Sequence, residues 1–126
     1  MTASGYNGNP NLPKANTQHN WTAEMINEYI KCKADPVYFA ETYFKIVHVD
    51  KGLIPFKLYE YQKEAIRLSS LNRKFVMNAS RQCGKTSVAT VIILHYALFN
   101  DSKKVALLAN KADTAQEILS RIQLAY

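Results

Sequence analysis

One stretch of this 126-residue chain decides its predicted fold: Lys74-Phe75-Val76-Met77-Asn78-Ala79-Ser80-Arg81-Gln82-Cys83-Gly84-Lys85-Thr86. A short apolar run enters a polar turn, and a long apolar segment, Val88 to Phe99, follows the turn. A strand, a phosphate-binding loop and a helix, in this order, are the parts of a P-loop. The stretch therefore predicts a site for the phosphates of a nucleotide.

The residue types in the loop suit this chemistry. Backbone N–H groups of a turn at a helix N-terminus point at one place, where the helix dipole also favours negative charge. Lys85 would reach the β- and γ-phosphates, and the Thr86 hydroxyl would ligate Mg²⁺. Gly84 would let the backbone pass close to the phosphate. The predicted phosphate-binding residues are Ser80, Arg81, Gln82, Cys83, Gly84, Lys85, Thr86 and Ser87.

Two positions depart from the usual P-loop pattern. Ala79 stands where the first glycine is expected, and Arg81 stands where small residues are common. The Arg81 guanidinium would bind γ-phosphate oxygens and stabilise transition-state charge, or sense the nucleotide state. The alternative is an arginine that faces phosphate or solvent without affecting the rate. For the whole loop, the alternative is an ordinary strand–helix turn whose lysine is solvated.

A glutamine upstream of the loop favours adenine as the base. Gln62 lies about twenty residues before the loop, on a predicted helix. Its amide can donate and accept at once, which matches the N6/N7 edge of adenine. Phe56 or Tyr59 would stack on the ring. The alternative is a surface glutamine without this role. With this base preference, the predicted ligands are ATP and Mg²⁺.

The composition limits the class of protein. The net charge is +6, and residues 58–126 contain ten Lys or Arg against five Asp or Glu. This excess suits an anionic partner such as nucleotide or DNA, although it also fits a basic, soluble surface. Cys32 and Cys83 have neither disulfide nor metal-ligand spacing. Without a signal peptide or a membrane-length apolar segment, the sequence predicts a soluble, intracellular protein.

The remaining patterns predict an α/β fold with a small helical N-terminal region. We expect a flexible tail over residues 1–20, a helical N-terminal region over 21–57, and the first part of a P-loop ATPase domain over 58–126. The helical region contains one helix from Thr22 to about Lys33 and a second, started by Asp35-Pro36, to about Phe44. Within the last part we expect an incomplete parallel sheet flanked by helices. The run Ile46 to Asp50 is predicted as an extended segment without a metal ligand, with His48 on its surface. Ile54 to Phe56 is also predicted as extended, because the residue before proline avoids the helical region.

The predicted elements from residue 58 onward are a helix over 58–70, a strand over 74–78, the loop helix over 85–99, a strand over 105–109 and a last helix from Asp113 or Thr114. The predicted buried faces are Leu58, Tyr61, Ala65 and Leu68 on the first of these helices, and Ala115, Ile118, Leu119 and Ile122 on the last.

These motifs resemble a known family. Leu58-Tyr59-Glu60-Tyr61-Gln62, the Ser80–Thr86 loop and Asp35-Pro36-x-x-Phe39 are similar to the N-terminal part of the large terminase subunit of tailed, T-even-like phages. The resemblance extends from about residue 21 to residue 126. It implies that Gln62 reads adenine, that Lys85 and Thr86 bind phosphate and Mg²⁺, and that Arg81 and Lys85 take part in coupling or catalysis.

The resemblance also implies a function. Proteins of this family use ATP hydrolysis to move double-stranded DNA into a procapsid in the host cytoplasm, and cut it with a separate nuclease domain. Expected partners are double-stranded viral DNA, the portal protein, the small terminase subunit and further copies in a ring. No apolar strand ending in Asp-Glu follows Ala109, so we expect a chain truncated before Walker B, with weak or no ATPase activity alone. The alternatives are a helicase-type DNA translocase fragment and a non-hydrolytic module that binds phosphate or DNA.

Overall fold

The computed structural model describes Gln18, residues 20–48 and residues 50–126. The tail predicted over residues 1–20 lies almost entirely outside the described residues. Among the described residues, no helix has the length and apolar character needed to cross a membrane. The elements are α1 (Ala23–Ala34), α2 (Pro36–Tyr43), β1 (Lys45–His48), β2 (Gly52–Pro55), α3 (Glu60–Leu71), α4 (Lys85–Phe99) and α5 (Ala112–Ala125).

The two predicted N-terminal helices are confirmed, and local capping explains their boundaries. Thr22 caps α1 by accepting a hydrogen bond from the Met25 N–H at 3.3 Å. Asp35 then ends α1 and caps α2, where its carboxylate accepts from the N–H groups of Val37 and Tyr38 at 2.9 and 3.2 Å. With Pro36 at the first helical position, one Asp-Pro pair stops the first helix and starts the second.

A short hairpin follows α2. β1 pairs antiparallel with β2, with Ile46 opposite Ile54 and Val47 opposite Leu53. The sequence predicted both segments as extended, and His48 at the surface, but not the pairing between the segments. The Phe56 N–H donates to the Phe44 carbonyl at 3.0 Å, so the hairpin returns the chain to the end of α2. The hairpin thus brings the chain back to the helices before α3 begins.

The core lies between α2, α3 and α4. Ile66 of α3 and Val88, Thr90 and Val91 of α4 are almost completely buried. The buried face predicted for α3 was partly wrong, because Tyr61 and Leu68 are exposed whereas Ile66 is buried. The apolar residues at 58, 61, 65 and 68 fit one helical stripe, but packing against α4 selects the neighbouring stripe. With this stripe of α3 buried, Gln62 also faces the interior and reaches the loop.

The predicted parallel sheet is not formed by the described residues. Segments 74–78 and 105–109 are not strands, and the observed sheet is the two-stranded hairpin. A strand is stabilised by hydrogen bonds to a neighbouring strand, and neither segment pairs with such a partner within the described chain. Val76 and Leu108 are consequently 91% and 92% exposed. The α/β P-loop fold remains a prediction.

The last helix, α5, begins one residue before the first predicted cap. Lys111 is the N-cap, in place of Asp113 or Thr114. The predicted face is only half-buried, since Ala115, Ile118 and Ile122 keep partial exposure and Leu119 is exposed. Ile122 and Ala125 pack against the core, and α5 contacts α4. The helix therefore covers α4 loosely on one side.

His95 connects α4 to α1. Its Nε2 lies 2.8 Å from the Cys32 carbonyl oxygen, and because a carbonyl only accepts, this nitrogen carries the proton. The ring lies between Phe39 and Phe99, with centroids 5.6 and 4.7 Å away. Burial lowers the pKa of His95 from its ordinary value of 6.5, against the opposing effects of the Cys32 carbonyl and Asp35.

We expect acid to destabilise the protein through His95. Because the pKa of His95 is lower in the folded protein than in the unfolded chain, the unfolded chain takes up the proton at a higher pH. The contribution of His95 to the free energy of unfolding is therefore complete above pH 6.5. It is lost as the pH falls through the pKa of the folded state. Urea unfolding between pH 7.5 and 5 should show this loss in the wild type and a smaller one in His95→Gln. His48→Gln, at an exposed strand position, is the matched control and should behave as the wild type. Equal pH dependence in His95→Gln and the wild type would contradict the role of His95.

Candidate nucleotide-phosphate site

The predicted loop lies at the N-terminus of α4, as the sequence required. α4 begins at Lys85, and Gly84 is its N-cap in the left-handed conformation, with φ at 78°. Gln82 also has a positive φ, 60°, which is unusual for a residue with a side chain. No side chain caps this end of α4. The first N–H groups of the helix therefore lack a side-chain acceptor, which is the arrangement that favours an anion.

Lys85 folds back over the loop. Its ammonium donates to the carbonyls of Ala79 and Ser80, at 2.5 and 3.0 Å. An ammonium has three N–H donors, so one stays available for a ligand. These two hydrogen bonds hold the lysine against the loop. The alternative of a solvated lysine is therefore wrong for this structure.

The neighbouring residues complete the loop. The Cys83 thiol donates to the Ser80 carbonyl at 3.0 Å, and this hydrogen bond helps to close the turn. Thr86 and Ser87 lie half-buried in the first turn of α4. Arg81 and Gln82 are exposed at the tip of the turn. The structure therefore brings the predicted phosphate-binding residues together, with Arg81 on the solvent side.

Gln62 reaches the loop, but its amide contacts protein. Its side chain is 3% exposed. Nε2 donates to the Cys83 carbonyl at 3.2 Å, and Oε1 accepts from the Tyr59 N–H at 3.0 Å. One N–H and one lone pair of the amide remain for a base, but the side chain that carries them is buried. Adenine reading by Gln62 remains a prediction that requires this side chain to become accessible.

The aromatic residues near Gln62 differ in accessibility. Phe56 is buried against Phe44, with ring centroids 5.7 Å apart, so the expectation that Phe56 stacks on a base is wrong for this structure. Tyr59 is exposed and stacks on Tyr61, with centroids 5.8 Å apart and planes 6° apart. Burial of Phe56 follows from the hairpin, which sequence reasoning did not predict. Tyr59 is the aromatic residue that keeps an open face.

Tyr61 is a loop contact that sequence reasoning missed. Its hydroxyl donates to the Cys83 carbonyl at 2.8 Å. The sequence placed Tyr61 on the buried face of a helix, because its spacing from Leu58 and Ala65 fits a helical stripe. The sequence did contain one indication of this contact, because Tyr61 directly precedes Gln62, which was predicted to belong to the site.

The electrostatics of the site are cationic. Lys85, Arg81 and the N-terminal end of α4 all favour an anion. Within the described part of the chain, no group of three or more His, Cys, Asp or Glu side chains could hold a metal ion.

A comparison with models of protein families finds a match in the part of the chain that contains the loop. Residues 76–123 match the family model described as "Terminase large subunit, T4likevirus-type, N-terminal". The matched segment contains the loop, α4 and most of α5. The predicted resemblance to the T-even-like large terminase subunit is confirmed for this segment. The match covers 48 of the 126 residues, and it shows what this segment of the chain is similar to.

Proposed function

We propose that this chain is the ATP-binding part of a large terminase subunit, which powers the movement of double-stranded viral DNA into a procapsid. The observation that carries the proposal is the Lys85 ammonium, held in the loop at an uncapped helix N-terminus inside the segment that matches the terminase family. This arrangement supports phosphate binding because the lysine, the helix dipole and the loop N–H groups attract the same anion.

Each loop residue has a defined role in this proposal. Lys85 would bind the β- and γ-phosphates, and the Thr86 hydroxyl would hold Mg²⁺. Arg81, which is exposed at the tip of the turn, would bind the γ-phosphate. The positive charges of the two side chains would stabilise the negative charge that grows during phosphoryl transfer. Double-stranded DNA, the portal protein, the small terminase subunit and further copies of the subunit are the proposed partners.

Titration calorimetry with ATP and Mg²⁺ tests the proposal. We expect saturable binding at one site, with slow or no hydrolysis by the 126-residue chain. Absence of heat at millimolar ATP would contradict the proposal and favour a module that binds DNA or phosphate without hydrolysis. Fast hydrolysis that Lys85→Ala abolishes would contradict the expectation of weak turnover.

A further inference from the structure

Two side chains from the first turn of α3 converge on one backbone atom of the loop. The Tyr61 hydroxyl and the Gln62 amide both donate to the Cys83 carbonyl oxygen, across 22 and 21 residues of sequence. We infer that Tyr61 and Gln62 are positioning residues, which fix the Cys83–Gly84 peptide so that the loop is formed before a phosphate binds.

The direction of this peptide decides what the loop offers to an anion. No peptide in the described residues is cis, and in a trans peptide the C=O and the N–H point in opposite directions. Holding the Cys83 carbonyl toward α3 therefore aims the Gly84 N–H away from α3. A carbonyl oxygen has two lone pairs, and two donors occupy both. The contacts thus keep an oxygen that would repel phosphate turned away, and leave an N–H to face it.

Gln62 is itself held rigidly. Its Oε1 accepts from the Tyr59 N–H, so both ends of the buried amide are fixed. A Cβ atom at Gly84 would lie 2.6 Å from Gln62 Nε2, closer than van der Waals contact allows. Any other residue at this position would displace the end of the Gln62 side chain, and the positive φ independently favours glycine. The close fit of the two residues is what a positioning contact needs.

The positioning role differs from base reading in a measurable way. A base reader contributes to the affinity for adenine nucleotides only, whereas a residue that shapes the loop contributes to the affinity for every ligand with a phosphate chain. This prediction about ligand affinity rests on the proposed function. The conformation of the loop without ligand can be measured whether or not the chain binds a nucleotide, so it provides a separate test.

The ligand-free test uses the alkylation rate of Cys83 by iodoacetamide. Tyr61→Phe removes one hydrogen bond to the loop and should speed alkylation about fivefold, the effect of losing roughly one typical hydrogen bond on local opening. The buried Cys32 is an internal reference for the global fold. Tyr96→Phe removes a similarly exposed hydroxyl about three helical turns from Lys85 and should leave the rate unchanged. An unchanged rate in Tyr61→Phe would overturn the inference.

The ligand test compares ATP, GTP and inorganic tripolyphosphate, each with Mg²⁺, in Gln62→Ala and Tyr61→Phe. A positioning role predicts that all three affinities fall by the same factor, about fivefold or more. A fall for ATP alone would overturn it in favour of base reading. Unfolding of Gln62→Ala would show as faster Cys32 alkylation, and Tyr61→Phe then decides. If the wild type binds none of the ligands, the proposed function fails, while the Cys83 rates still decide the positioning role.

Discussion

Replacing Lys85 with methionine is expected to weaken ATP binding by about 10- to 100-fold, since hydrogen bonds to charged groups contribute about 1.5–3 kcal/mol. Methionine keeps an unbranched apolar stem of nearly the length of lysine but removes the charge and the three donors. The ammonium is positioned for this role by its contacts with the Ala79 and Ser80 carbonyls. Titration calorimetry with ATP and Mg²⁺ measures the change directly.

Lys104→Met is the matched control for Lys85→Met. It removes an equal charge from the exposed irregular segment beyond the other end of α4, so it should change ATP affinity little. A similar loss in both variants would mean that net charge, and not the loop geometry, determines binding. Unchanged affinity in Lys85→Met would contradict the proposed site. Thermal unfolding of both variants separates ligand binding from stability, because Lys85→Met also removes the ammonium donor from the Ala79 and Ser80 carbonyls, of which Ser80 keeps the Cys83 thiol.

Replacing Ile66 with alanine is expected to lower the free energy of unfolding by about 2–5 kcal/mol, the usual cost of truncating a fully buried aliphatic side chain. Ile66 is 0% exposed in the core between α3 and α4. The loss combines the transfer free energy of the removed methyl groups with the cavity that remains. Urea unfolding, followed by circular dichroism, provides the measurement.

Leu71→Ala is the control for Ile66→Ala, because Leu71 belongs to the same helix and is 80% exposed. We expect it to change the free energy of unfolding by less than about 0.5 kcal/mol. Equal effects of the two substitutions would contradict the packing of α3 on α4. Since α3 carries Tyr61 and Gln62, a displaced α3 would also disturb the Cys83 carbonyl contacts.

Features with a local cause were predictable from sequence. The Asp35-Pro36 pair carries both a cap and a fixed φ, so the boundary between α1 and α2 follows from neighbouring residues alone. Gly84 and Lys85 likewise mark the start of α4, because a left-handed cap and a long apolar segment meet there. Each of these depends on interactions within a few residues.

Features that depend on distant partners were missed or remain predictions. Periodicity could not select which of two adjacent stripes of α3 is buried, because that depends on how α3 packs against α4. The segments around Val76 and Leu108 have the apolar character of strands, yet strands need a hydrogen-bonded neighbour, which the described chain does not supply.

The sequence by itself determined that a lysine-containing loop opens a helix, that this loop suits a phosphate, and that the segment resembles a packaging terminase. Those properties follow from local conformation and residue chemistry. Only the tertiary structure decided that Lys85 turns onto the Ala79 and Ser80 carbonyls and that Tyr61 and Gln62 hold the Cys83 carbonyl. The physical reason is that α3 packs beside α4 through Ile66, which brings side chains from 21 and 22 residues away to one oxygen of the loop.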